Sequence, residues 1–257
     1  MNNIIRCAAR GVFAAKDGAR SVILAAGGGV PCLCCGRPAY RLPVCGSCLR
    51  VQLHPELPQK NRCRLCGREL LSEDGLCMEC RRAPVFSAVT RAFSLFPYVF
   101  WYRELLYAWK THGERGLSGV FARELYRLFR AEEALHCGPD VLPVVPVPPR
   151  PGKLRMHGWD QVHDLAHALE CRWGAAVHHM LKRTGGAQQK TQNRAERLSR
   201  LSGAYTLCKK RVPSAVPQAV ILLDDIMTTG ATLESCAREL KTAGVETVYA
   251  VAVAAVP

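Results

Sequence analysis

An apolar run, Val220-Ile221-Leu222-Leu223, ends in Asp224-Asp225, passes through Ile226-Met227 and enters Thr228-Thr229-Gly230-Ala231-Thr232. A run of this kind reads as a buried parallel strand, and the pattern that follows, Leu233–Thr242, reads as a helix. The turn between them is built for phosphate. Its backbone N–H groups lie at the positive end of the helix, and Thr228, Thr229 and Thr232 add hydroxyl donors. Asp224 and Asp225 supply acceptors for a ribose diol, so one strand–loop–helix unit can grip a sugar and its 5′-phosphate. No GxxxxGKS/T stretch competes with it, and Gly27-Gly28-Gly29 lacks the strand and spacing of a dinucleotide fold.

Four apolar residues, two acidic, two apolar and then Thr-Thr-Gly-x-Thr resemble the signature of the type I phosphoribosyltransferases, met without a gap. The resemblance implies a mostly parallel α/β sheet with flanking helices and a phosphosugar ligand. Around the signature, strand and helix patterns alternate. Strands are expected at Asp140–Val147, Ala176–Leu181 and Thr247–Val253, with helices from about Trp159 to Cys171 and near Arg194–Leu201. Such alternation puts the signature loop at the carboxyl ends of the strands, where ligands bind. The basic loop Arg150, Lys153, Arg155 and His157 after the first strand suits a pyrophosphate. His163 and His167 sit four apart on a helix, but their segment lacks the glutamate of a zinc protease, so they read as a surface or groove pair.

A second feature sets the N-terminal part. Cys32/Cys35, Cys45/Cys48, Cys63/Cys66 and Cys77/Cys80 form four CxxC pairs among 14 cysteines, with gaps of nine and ten residues inside the two halves. Each pair aims two thiolates at one ion, and two pairs complete the tetrahedral shell of a structural zinc. Two zinc ions are expected, with sequential or interleaved pairing both open. A disulfide framework is the competing reading, disfavoured in a chain without a secretory h-region. Cys34 complicates the ligand count. Cys7, Cys137, Cys171, Cys208 and Cys236 read as small apolar residues.

The chain therefore divides into an N-terminal segment 1–30, a double zinc ribbon 31–82, and a phosphoribosyltransferase-like domain 83–257 that includes a helical part 98–135. No apolar run spans a membrane, Val141–Pro149 being broken by four prolines, and a cytoplasmic protein is expected. The formal charge of +14 points to polyanionic partners. Two tetrathiolate zinc sites would lower it to about +10. Phe93, Phe96, Tyr98, Phe100, Trp101, Tyr102, Tyr107 and Trp109 are eight of the 18 aromatic residues and lie among Arg103, Lys110 and Arg115. They read first as core, with nucleic-acid stacking as the second reading.

Zinc knuckles ahead of such a domain are similar to the organisation of the ComF family, competence-associated proteins that resemble amidophosphoribosyltransferases. Tyr98, Arg103, Leu106, Lys110 and Gly113, then Pro146-Val147-Pro148 and Gly158-Trp159-Asp160-Gln161, match its pattern. So do Lys182-Arg183-Thr184, Gln189, Arg197 and Gly203-Ala204-Tyr205. His157 and Arg200 depart from it, standing where the family has arginine and asparagine.

The resemblance implies phosphoribosyl pyrophosphate with Mg²⁺ as ligand. Asp224 and Asp225 would take the ribose hydroxyls, residues 228–232 the 5′-phosphate, and Arg150, Lys153, Arg155 and Arg197 the pyrophosphate. It also implies a role in DNA uptake, with single-stranded DNA and other competence or DNA-processing proteins as partners. The alternative is an active phosphoribosyltransferase acting on a nitrogen nucleophile. Thr228 stands where 6-oxopurine enzymes of this class carry an aspartate base, which disfavours that substrate class.

Overall fold

The computed structural model describes residues 29–40, 42–54, 57, 59–72, 74–138, 140–184 and 204–256. Cys7, Gln189, Arg197, Arg200, Gly203 and the helix expected near 194–201 lie outside the described residues, as do the side chains of Cys137 and His157. Two ribbons of similar build open the described chain. The first pairs Val30–Pro31 (β1) with Pro38–Ala39 (β2) and ends in the helix Gly46–Val51 (α1). In the second, Arg62 bridges Glu69 and the helix Met78–Arg82 (α2) follows. Next come Arg91–Pro97 (β3), Phe100–Lys110 (α3), Gly116–Ala131 (α4), the hairpin His136–Cys137 (β4) with Asp140–Val141 (β5), and Val144–Pro146 (β6). Lys153–His157 (α5), Gln161–Trp173 (α6), the hairpin Leu181–Arg183 (β7) with Tyr205–Leu207 (β8), Ala219–Met227 (β9), Ala231–Thr242 (α7) and Thr247–Ala255 (β10) complete it.

The central sheet has four strands in the order β3-β10-β9-β6, every neighbouring pair parallel. This is the expected α/β class. Two strand expectations change in detail. Asp140–Val147 breaks at Pro143, which has no N–H to give to a ladder, so β5 folds back on β4 while β6 enters the sheet. The stretch expected at Ala176–Leu181 touches the sheet only through a parallel bridge from Val177 to Val144, then turns away into the β7–β8 hairpin.

A parallel sheet must be covered on both faces, and side chains alternate between those faces along each strand. Ile221, Leu223, Val251 and Val253 pack with Trp109, Phe121, Leu125, Leu165 and Leu169 from α3, α4 and α6. Val220, Leu222, Val248, Ala250 and Ala252 pack with Leu233, Cys236, Ala237 and Leu240 from α7. The ribbons divide between these cores. Ala39, Val44, Leu49 and Leu53 of the first ribbon join the α3–α4–α6 face, whereas Cys63, Leu70, Cys77 and Phe86, in and just after the second, join the α7 face. They clasp the sheet from opposite sides.

The connection between the ribbons runs past the edge strand β3. Gln59 is buried and donates its Nε2 to the Ser94 carbonyl at 2.5 Å, while its backbone N–H meets Glu132 at the end of α4. The second ribbon then bonds to the same edge, Ala92 N–H to Leu65 O at 2.8 Å. Gly67 sits there at φ +72°, and a Cβ on it would lie 2.4 Å from the Ala92 carbonyl oxygen, so this contact requires glycine.

Glu234, in the first turn of α7, fixes the segment leaving the second ribbon. It is buried and accepts from the N–H groups of Ser87, Ala88 and Val89 and from the Ser87 hydroxyl, while Arg238 donates to it at 3.0 Å. Burial opposes its charge, but Ser87, Ala88 and Arg238 outweigh that and leave its acidity below the ordinary value. Glu234→Ala should cost roughly 3 kcal/mol, because several buried donors lose their acceptor. Its lowered pKa means that this contribution is full above the ordinary glutamate value of 4.5 and fades as pH falls through the folded-state value. Urea unfolding of wild type and Glu234→Ala across pH checks both the size and the sign.

Candidate functional site

The two ribbons repeat one local design. Cys32-x-x-Cys35-Gly36 and Cys63-x-x-Cys66-Gly67 each close a tight turn, with Gly36 N–H to Cys32 O at 2.8 Å and Gly67 N–H to Cys63 O at 3.0 Å. The second pair of each ribbon stands at the start of a short helix, Cys45 before α1 and Cys77 before α2, and their N–H groups point at the sulfurs of Cys32 and Cys63. The result is two sequential sets, Cys32, Cys35, Cys45 and Cys48, then Cys63, Cys66, Cys77 and Cys80. Within each set the Sγ atoms lie within 4.8 Å of one another. A tetrahedral zinc with bonds of about 2.3 Å places its sulfurs roughly 3.8 Å apart, so both sets fit the ion. The interleaved alternative is excluded. Cys34 belongs to neither set, and burial pushes its thiol up to about 12.

The signature takes up the end of β9 and the start of α7, as its pattern requires. Asp224 and Asp225 are both buried. They are held differently. Asp225 meets the Lys110 ammonium at 2.6 Å and accepts from the Gln161 amide at 2.5 Å. Burial works against its charge, but Lys110 and Gln161 prevail and hold it below the usual carboxylate range. Asp224 receives the Asp225 N–H on Oδ1 at 2.8 Å, and burial, followed by the charge of Asp225, pushes its acidity well above that range. The pair thus carries one firmly ionised carboxylate and one that retains its proton more readily.

Below it, Gly230 stands at φ +74° and approaches Phe86 so closely that a Cβ would lie 2.6 Å from the ring. Thr229 Oγ1 accepts weakly from Ala231 N–H at 3.5 Å, and Thr232 bonds to the Tyr205 hydroxyl on β8. The loop therefore rests on the segment after the second ribbon and on the β7–β8 hairpin.

The residues read as a pyrophosphate loop separate in the fold. Arg150 lines a cleft of about 220 Å³ with Lys182, Arg183, Arg211, His163 and His179. Lys153 is turned back onto Asp160 at 2.7 Å and onto Gln161, so it braces the first turn of α6. Arg155 is exposed on α5 and borders neither cavity described here. Within the cleft, burial lowers the pKa of His163, and burial with nearby cations lowers that of His179 to about 4. The positive charge at neutral pH therefore comes from Arg150, Lys182, Arg183 and Arg211.

Lys110, Gln161, Asp160 and Lys153 form a chain of contacts ending on Asp225. Lys110 and Gln161 stand at positions that match the family pattern, but nothing in their spacing reveals that helices 64 and 115 residues away converge on one carboxylate. A second cavity, of about 540 Å³, opens on the other flank of the loop, between Thr228–Gly230 and the second ribbon.

A parallel sheet with a phosphate loop at its carboxyl edge and an acidic pair above it defines a phosphoribosyltransferase-like protein. The phosphoribosyl transferase domain family matches residues 162–257. Competence protein ComFC of Bacillus subtilis (strain 168) is 29% identical over 181 residues, which cover 68% of this chain and 70% of that protein. With its two zinc-fitted cysteine sets ahead of this domain, the chain is similar in organisation to the ComF family.

Asp224→Asn should leave stability equal or higher at neutral pH, because it removes a buried charge that burial opposes. The raised pKa of Asp224 makes wild type lose stability as pH rises above the ordinary value of 3.8, so the advantage of the asparagine grows in that direction. Asp225→Asn strips Lys110 of its partner and should lower stability instead. Denaturation of the two variants across pH separates these outcomes. Metal analysis of the purified full chain should give two zinc ions per molecule, falling to one in Cys63→Ser.

Proposed function

We propose that this protein binds phosphoribosyl pyrophosphate with Mg²⁺ and handles single-stranded DNA in natural transformation. One observation carries the ligand reading: the carboxylate pair, the Thr228–Thr232 loop and a cleft of four cations stand side by side at the carboxyl edge of the sheet. The loop takes the 5′-phosphate on its N–H groups and hydroxyls at the start of α7. Asp224 and Asp225 take the ribose hydroxyls, and Arg150 with its neighbours balances the pyrophosphate. Among the described residues the clusters spaced for a resident metal are the two cysteine sets. Mg²⁺ accordingly enters chelated by the pyrophosphate, neutralising it where the cations of the cleft do not reach.

The DNA reading rests on the exposed face of α3. Most aromatic residues of this region are core, with Phe93, Phe96 and Trp109 buried, whereas Phe100 is 87% exposed and Tyr107 50% exposed. Phe100, Arg103 and Tyr107 recur at the three- and four-residue spacing that aligns side chains along one helix face. Glu104 shares that face and lies 4.0 Å from Arg103. Lys110 ends the helix on Asp225, so an aromatic and basic stripe leads toward the sugar-phosphate site. Stacked bases would occupy the rings while arginine meets the backbone. The name of the Bacillus subtilis relative, a competence protein, supports the same pathway. The second reading, glycosyl transfer to a nitrogen nucleophile, is favoured by the cavity on the far flank of the loop.

Calorimetry of the zinc-loaded chain should show phosphoribosyl pyrophosphate binding that requires Mg²⁺ and is lost in Asp224→Ala/Asp225→Ala. Single-stranded DNA should bind independently of that pair, with an affinity that falls steeply with salt. Phe100→Ala and Tyr107→Ala should each weaken DNA by about 1–3 kcal/mol and leave the sugar phosphate untouched. Absence of ligand binding by wild type would refute the first half of the reading, and a flat salt response the second.

A further inference from the structure

The two cysteine sets are alike in geometry and unlike in access. The Sγ atoms of Cys35 and Cys45 lie 3.7 Å apart in the first ribbon, and those of Cys66 and Cys77, at the matching positions of the second, also lie 3.7 Å apart. All four thiols of the second set are buried, and Cys66, which borders the larger cavity, is 9% exposed. In the first set Cys32 and Cys48 are buried, Cys45 is half-buried and Cys35 is exposed. The glycines after the first knuckles show why. Gly67 is pressed against the Ala92 carbonyl of β3, whereas a Cβ on Gly36 would meet nothing within 4 Å. Docking seals one ribbon's knuckle and leaves the other's open to water.

An arginine follows each of these glycines, and the two are used differently. Arg68 is paired at 3.1 Å with Glu79, inside the knuckle Cys77-Met78-Glu79-Cys80. The matching position in Cys45-Gly46-Ser47-Cys48 is Ser47, which brings no charge, and Arg37 hydrogen bonds to the Cys35 sulfur instead. An accessible cysteine sulfur with a cation beside it is the setting in which cysteines react.

We infer that Cys35 and Cys45 form an oxidative modification site, at which hydrogen peroxide converts the pair to a disulfide and empties the first ribbon of zinc while the second keeps its ion. The Cys35 sulfur attacks one peroxide oxygen. The S–O bond forms, the O–O bond breaks, and the other oxygen leaves as hydroxide toward the N–H groups of Arg37. Cys45, 3.7 Å away, then attacks the Cys35 sulfur, forming the S–S bond and expelling the second hydroxide. Two thiolates, one peroxide and two protons from solvent thus give one disulfide and two waters. Cys32 and Cys48 alone cannot complete a tetrahedral shell. Leu49 and Leu53 of this ribbon pack with Leu105, Leu106 and Trp109 of α3, and the Tyr102 hydroxyl donates to the Gln52 carbonyl at 3.2 Å. Oxidation therefore loosens the helix that carries Phe100, Arg103 and Tyr107. The inference rests on zinc in the first set and goes beyond the sugar-phosphate reading.

The test treats the zinc-loaded full chain with one equivalent of hydrogen peroxide, follows ion release with a chromogenic chelator and maps disulfides by mass spectrometry. One ion should leave at least about tenfold faster than the other, with a Cys35–Cys45 disulfide accounting for it. Hydrogen exchange should quicken in the first ribbon and α3 but not in the second ribbon, and dithiothreitol with zinc should reverse both changes. Ser47→Glu gives Arg37 the partner that Arg68 has, and should slow the first release at unchanged zinc content. Release of both ions at one rate, a disulfide mapped to other cysteines, or a Ser47→Glu rate equal to wild type overturns the site. If metal analysis finds the first set empty, the site falls with the zinc assignment, and phosphoribosyl pyrophosphate binding is decided separately by calorimetry.

Discussion

Asp225 is where the separate parts of this protein meet. Its carboxylate stands near the end of β9, takes the ammonium of Lys110 from α3 and the amide of Gln161 from α6, and does so almost without solvent. A buried carboxylate left alone would be costly, so the two helices that cover one face of the sheet are tied to the site through the charge they neutralise. Asp224 lacks an equivalent partner and is pushed toward its protonated form by burial and by Asp225. The fold thus tolerates an unfavourable group at the position where a ribose hydroxyl would be recognised, a pattern expected of binding sites.

The zinc ribbons solve a problem of coverage. Helices α3, α4 and α6 pack on one face of the four-stranded sheet, whereas α7 leaves part of the other face to the second ribbon and the segment after it. Small ribbons cannot hold their shape by apolar packing alone, and two tetrathiolate ions would supply what their cores lack. Because Leu65 and Gly67 dock on the backbone of β3 and Glu234 grips residues 87–89, the second ribbon becomes part of the edge that carries the signature loop. Among the described residues, no helix is long and apolar enough to cross a membrane.

Local signals were legible in the sequence because they are matters of residue type and spacing. The alternation of β9, its terminal carboxylates, the Thr-Thr-Gly-x-Thr turn and the CxxC pairs could each be read from a few neighbouring positions. Long-range pairing could not. Lys110 gave no sign that it would answer Asp225, and Lys153 looked as available to a ligand as Arg150 until its bonds to Asp160 and Gln161 placed it in the framework. Likewise, a contiguous double ribbon suggested one leading module, and only the packing of its halves into two different cores, with Gln59 bonded at the β3 edge between them, reveals that they separate onto opposite faces. Pro143 was a readable break within the expected strand 140–147, and its effect on pairing follows from its missing N–H.

Hydrogen exchange of the zinc-loaded full chain, with and without Mg²⁺ and phosphoribosyl pyrophosphate, tests the central claim most directly. Ligand should slow exchange at residues 224–232 and at the start of α7, with a smaller effect at 85–89 transmitted through Phe86 and Glu234, while the first ribbon stays unchanged. Unaltered exchange across 224–232 at saturating ligand, or protection confined to other parts of the chain, would contradict a phosphosugar site at the end of β9.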